Sequence, residues 1–152
     1  MKYTNPEALE AEHHELHVQL ERAIQVGGEV GAAAQSVAEV LHAHFVGEER
    51  LALPPLALLP ALAAGRIEAD MAPYITLTEA LKRELPQMLA EHQAIVSALD
   101  ALVAAAQRAQ NDDVLSFAEK LKLHAQVEEE ILYPAAILAG EYLKLRLGVP
   151  TA

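Results

Sequence analysis

LHAHFVGEERLALP, residues 41–54, and LKLHAQVEEEILYP, residues 121–134, spell one pattern twice: a histidine, three residues, two glutamates, a mostly apolar run and a proline. Side chains four apart on a helix share a face, so each copy can aim a His and a Glu at one point. His44 and Glu48 in the first copy match His124 and Glu128 in the second at an offset of 80 residues. A further echo, AEH at Ala11 and again at Ala90, pairs His13 with His92 at an offset of 79. The chain therefore reads as an internal duplication, with halves of about residues 6–65 and 75–140.

Around these motifs the apolar residues recur every three or four positions, the period of a helix packed in a bundle. A helix is expected over residues 6–26, with Asn5 as its cap and Pro6 in its first turn, and a second over 30–53 beyond the break GGEVG. A connection carrying a short helix near 56–64 leads to a third long helix over 76–110, bent or restarted at Pro86. A fourth runs from Asp112, capped by Asn111, to about Pro134, and a tail helix follows. The short breaks make each pair antiparallel, so the predicted fold is all-α: an antiparallel up-down four-helix bundle with an internal two-fold repeat and short extra helices, in one domain over residues 1–152.

The inward seams read Leu9, His13, Leu16 and Leu20; Leu41, His44, Glu48 and Leu51; Met88, His92, Ile95 and Leu99; Leu121, His124, Glu128 and Ile131. Every polar seam residue is a His or a Glu. His13 lies 14 residues before Gly27 and His44 13 after Gly31, which puts them at one level; His92 and His124 stand 19 and 13 residues from Asn111, a looser match. An ionised carboxylate buried without a partner costs several kcal/mol, and the seams hold no Lys or Arg to pair with Glu48 or Glu128. A bound cation removes that cost. Four imidazoles and two carboxylates suit two ions, each taking two His with the Glu groups bridging, and mixed ligation with open positions suits iron ahead of manganese or zinc.

Composition narrows the alternatives. Aromatic residues are only 4% of the chain while 53% is apolar and rich in Leu and Ala, which favours helices over sheets. A net charge of -11 repels phosphate backbones and anionic lipid, so neither nucleic acid nor a membrane is an expected partner. With no Cys, disulfides, iron-sulfur clusters and thiol catalysis are excluded. The acidic start MKYTNPEALEAEHHE lacks the apolar run of a signal peptide, and the expected compartment is the cytoplasm. The apolar stretch LALPPLALLPALAAG, residues 51–65, is too short to span a bilayer and reads as a buried cap or contact surface, and its part LALLPALAAG, residues 56–65, as a contact for a homodimer or a segment packed on its own bundle.

In EHHEL, HFVGEERLALP, EHQAI and HAQVEEEILYP, taken in order over essentially the whole chain, the sequence resembles the hemerythrin-like family and its HHE cation-binding domains. The resemblance implies that His13, His44, Glu48, His92, His124 and Glu128 are the metal ligands of a non-haem di-iron site. It implies reversible oxygen binding, sensing of oxygen or nitric oxide, iron handling or repair of iron-sulfur centres. Oxygen-carrying hemerythrins have a second His four residues after the first on the third helix; Val96 stands there in this chain, which argues against a dedicated oxygen carrier and for a more open site.

The expected function is thus a metal-binding protein whose two Fe ions meet a small-molecule ligand: oxygen, nitric oxide or peroxide. An enzyme that turns over peroxide or nitric oxide, or donates iron, is the alternative, and a structural bundle with zinc or no metal is a third. His17, one turn beyond His13 on the seam's flank, is a candidate extra ligand or orienting donor. His14 and His42 read as exposed. Glu49 and Glu129 read as surface charge that could also orient a His or enter the coordination shell, and Tyr133 as a cap on the bundle end that could also gate access or donate a hydrogen bond. A ferritin-like arrangement needs an inward Glu-x-x-His on two helices; Glu10 to His13 and Glu39 to His42 have that spacing, but the second pair falls outside the seam, and the third and fourth helices have none.

Overall fold

A computed structural model describes residues 2–150. Pro6 has an extended ψ of 120° and its carbonyl accepts from the N–H of Leu9 and Glu10, so Pro6 rather than Asn5 caps α1 (Glu7–Gln25). Asn5 instead reaches the Glu49 carbonyl at 3.4 Å. Gly27, at φ 75°, takes a backbone conformation that costs other residues energy, and it reverses the chain at once into α2 (Gly28–Leu51). The expected five-residue break is therefore shorter, with Gly31 already helical.

After α2 the prolines break the connection into two short helices rather than one, α3 (Leu53–Leu56) and α4 (Leu59–Ala63), and a 3-10 turn at Ala69–Met71 leads into α5 (Pro73–Arg108). α5 runs unbroken through Pro86, which lies on its exposed side, where water can serve the carbonyl left without a donor. Asn111 caps α6 (Asp112–Val127) as expected, its Oδ1 accepting from the Val114 N–H at 3.1 Å.

The fourth helix departs from expectation. It does not stop at Pro134 but widens into a π turn over Glu128–Leu132 and continues as α7 (Tyr133–Leu147). The Tyr133 N–H bonds back five residues to the Glu128 carbonyl, and Pro134 falls on the exposed side of the first turn of α7, where water can serve the carbonyl left without a donor. The extra residue shifts the register: Ile131, expected inward, is 57% exposed, and Tyr133 takes the inward place at 1%.

α1 packs beside α2 and α6, and α5 beside α2 and α6, closing an all-α four-helix bundle with no strand among the described residues. Leu16, Leu20, Leu41, Ile95, Leu99 and Leu121 belong to its central core. α3, α4 and α7 close one end, where Leu53, Leu56, Leu58 and Leu62 are buried within the chain, as expected of a buried cap. With its lead-in, α5 is the one described helix long and apolar enough to cross a membrane, but it is a helix of the bundle, burying Leu81, Met88, His92 and Leu99 and exposing Arg83, Glu84 and Asp100.

Candidate metal centre

His13 comes from α1, His44 and Glu48 from α2, His92 from α5, His124 from α6 and Glu128 from the start of the π turn. None is more than 5% exposed. They form two groups of four, His13–Glu48–His124–Glu128 and His44–Glu48–His92–Glu128, and within each the donor atoms lie within 4.8 Å of one another. Each histidine pair joins one residue from either sequence half, and both groups share both carboxylates.

The sharing is atom by atom. Glu48 places Oε2 at 3.4 Å from His13 Nε2 and Oε1 at 3.2 Å from His44 Nε2. Glu128 turns Oε1 toward His124 Nε2 and His13 Nε2, the latter at 3.7 Å, and Oε2 toward His92 Nε2 at 2.9 Å and His44 Nε2 at 3.8 Å. Each glutamate thus offers one oxygen to each group.

The opposite edge of every imidazole meets another carboxylate. Glu12 on α1 holds His124 Nδ1 at 2.7 Å; Glu129 in the π turn holds His92 Nδ1 at 2.8 Å; Glu91 on α5 holds His44 Nδ1 at 2.7 Å; Glu49 on α2 approaches His13 Nδ1 at 3.5 Å. The contacts run in a ring around the bundle, each helix orienting a histidine of its neighbour. An imidazole whose Nδ1–H donates to a carboxylate presents the Nε2 lone pair inward, which is the tautomer a cation needs.

A family model described as the hemerythrin HHE cation-binding domain matches residues 4–136. The chain belongs to this family. No curated protein and no solved structure matches it. The matched span of this HHE domain contains all six inward residues and all four outer glutamates, and ends three residues past Tyr133.

The donor set fits a cation on its own terms. Glu48 Oε2 and His124 Nε2 are buried with no hydrogen-bond partner, the latter pressed against Glu128 Oε1 without hydrogen-bond alignment. Among the described residues every ion pair of Glu48 and Glu128 is with one of these histidines, so without a metal only imidazolium charge can compensate them. Burial resists protonation of His44, yet Glu128 and Glu48 outweigh it and hold its pKa up at about 10. Burial likewise opposes protonation of His124, and Glu128 overcomes it to raise the pKa to about 9. Burial, with the charge of Glu128 beside it, pushes the Glu48 carboxyl up; Glu128 is buried too, but the imidazoles of His124, His13, His44 and His92 hold it well below the usual range. A site that draws protons this strongly draws divalent cations for the same reason.

Tyr133 belongs both to the apolar cluster at the bundle end, with Leu53 and Leu56, and to the HHE site. Its hydroxyl donates to Glu48 Oε1 and lies 3.2 Å from His92 Nε2 and 3.4 Å from His44 Nε2. His17 stands outside both groups, half-buried with its ring edge-on to Phe45 at 5.2 Å, while Phe45 stacks on His13 at 3.9 Å. His14 and His42 are exposed, as expected. The residues that sequence reasoning passed over are Glu12 and Glu91, although the repeated AEH, with the same offset as His13 and His92, carried the signal.

A cleft of about 550 Å³ between α5 and α6 reaches His92 and Glu129, and Val96 lines it. A smaller cleft of about 380 Å³, near the opposite end of α6 beside Arg22 and Lys120, touches none of the six.

Proposed function

We propose that this cation-binding HHE protein is a non-haem di-iron protein that binds or senses a diatomic ligand, oxygen or nitric oxide, or peroxide. The observation that supports two ions is the division of labour within Glu48 and Glu128, whose Oε1 and Oε2 atoms face different histidine pairs. His13 and His124 would hold one iron, His44 and His92 the other, with both carboxylates spanning the pair. Iron supplies a redox couple and exchangeable coordination positions for a small ligand.

The chain does the rest. Glu12, Glu49, Glu91 and Glu129 fix the imidazole orientations. Glu48 and Glu128 set the charge, and Leu16, Leu41, Ile95 and Leu121, each one helical turn from an inward histidine, limit water. The cleft at Val96 offers a small molecule a path to the His92 side, at the position where oxygen carriers place a histidine. The same cleft favours a second reading, an enzyme that turns over peroxide or nitric oxide or donates iron to a damaged iron-sulfur centre.

Anaerobic ferrous loading followed by titration with nitric oxide and with oxygen tests the first reading: stoichiometric optical changes that reverse on removing the gas support it, and an iron-loaded protein inert to both gases and to peroxide contradicts it. Steady-state consumption of peroxide or nitric oxide with a reductant present would favour the enzyme.

A further inference from the structure

The two ion positions are not equivalent, and the difference is Tyr133. The geometry points to the Tyr133 phenol oxygen as a fifth protein donor to the ion held by His44, His92, Glu48 and Glu128, which leaves that ion one position fewer for an external ligand than its neighbour. This inference rests on the di-iron reading.

Donor atoms that share one ion at about 2.1 Å stand roughly 3.0–3.4 Å apart. The Tyr133 hydroxyl is 3.2 Å from His92 Nε2, 3.4 Å from His44 Nε2 and 3.5 Å from Glu128 Oε2, and it contacts Glu48 Oε1 directly. It therefore stands to His92, His44 and Glu128 at about the spacing of donors that share an ion, is hydrogen-bonded to Glu48, and meets no nitrogen of His13 or His124. Its counterpart in the first sequence half, at the offset of the His-x-x-x-Glu repeat, is Leu53, a buried side chain with nothing to offer a cation.

The π turn makes the difference. α2 continues past Glu48 without one and ends at Leu51, whereas the extra residue after Glu128 rotates Tyr133 inward, with its ring stacked beside His92 at 5.7 Å. π turns recur where a helix must aim a functional group off its regular path. On coordination the phenol O–H bond breaks, the oxygen keeps the electron pair for the ion and the proton goes to solvent; no electron changes hands.

The test is spectroscopic and uses the full chain, loaded with ferrous iron and then oxidised in air. Ferric iron bound to a phenolate gives a charge-transfer absorption in the visible, and resonance Raman excited within it enhances tyrosinate ring vibrations. Tyr3, Tyr74 and Tyr142 cannot supply these: the first two pair with each other and the third with Arg146. The expected result is tyrosinate vibrations in the wild type and their complete loss in Tyr133→Phe at near-unchanged iron content. Wild-type protein that holds iron but shows no tyrosinate vibrations overturns the inference alone, whether or not the variant folds, as does a Tyr133→Phe spectrum that keeps them. Wild-type protein that binds no iron overturns the di-iron reading and this inference with it.

Discussion

Glu91 Oε2 lies 2.7 Å from His44 Nδ1, across the contact between α5 and α2. Glu91 immediately precedes His92, so one helix presents an inward ligand and, one residue earlier, the carboxylate that orients its neighbour's. Glu12 does the same for His124. Outer partners of this kind fix the ring and raise its basicity, and their loss typically weakens metal affinity about 10–100-fold. Glu91→Ala and Glu12→Ala should each show that drop in a competition titration with a chelator. Glu84→Ala, which removes an exposed partner of Arg50, should show none. Unchanged affinity in both of the first variants would remove the orienting role.

Glu48 and Glu128 each span both groups, so neither can be removed without damaging both positions. Glu48→Ala and Glu128→Ala should lose bound iron while circular dichroism retains the helices, because a ligand and a buried negative charge leave together. Full iron stoichiometry in both variants would refute the assignment of these carboxylates.

The metal-free protein should lose thermal stability as pH rises from neutral toward 10. His44 and His124 have folded pKa values of about 10 and about 9, above the ordinary imidazole value near 6.5. Their stabilising contribution is complete below the ordinary value and is lost as pH climbs through the folded ones; the raised Glu48 acts in the same direction. The metal-loaded protein, with cations in place of protons, should hold its Tm over the same range and exceed the apo form in stability by about 2.7 kcal/mol for each ion at 100-fold over Kd. Scanning calorimetry from pH 6.5 to about 10 checks both, and an apo Tm flat across that window would contradict the charge account.

α7 is held against α5 at one very close point. A Cβ added to Gly140 would fall 1.9 Å from Thr78 Oγ1 and 2.6 Å from Thr78 Cβ, in a region where Thr78 is fully buried and bonded to the Ile75 carbonyl. Gly140→Ala should therefore cost about 1–3 kcal/mol through forced separation of the helices. Because Tyr133 begins α7, the same variant should weaken any tyrosinate signal. A wild-type Tm measured for Gly140→Ala would show that α7 is free to shift.

The inward histidines and glutamates were legible in the sequence because a strict helical period leaves few ways to place a His and a Glu four apart, and duplication repeats the choice. The bundle followed from the same period. Tyr133 was not legible as a site residue: a regular helix puts Ile131 inward, and no propensity announces the single added residue of a π turn. Glu12 and Glu91 point away from their own helix's seam by about 100°, and only the packing of neighbouring helices turns that direction into contact with His124 and His44. His17 shows the converse. Its position one turn from His13 suggested a ligand, but Phe45 fills the space between them and the groups on the Nδ1 side are carboxylates.

The central claim, two ions shared between Glu48 and Glu128, is tested most directly by elemental analysis of the aerobically purified chain against its protein concentration. The account predicts close to two irons per chain. Zinc in place of iron, a single ion, or no metal even after anaerobic iron loading would contradict it.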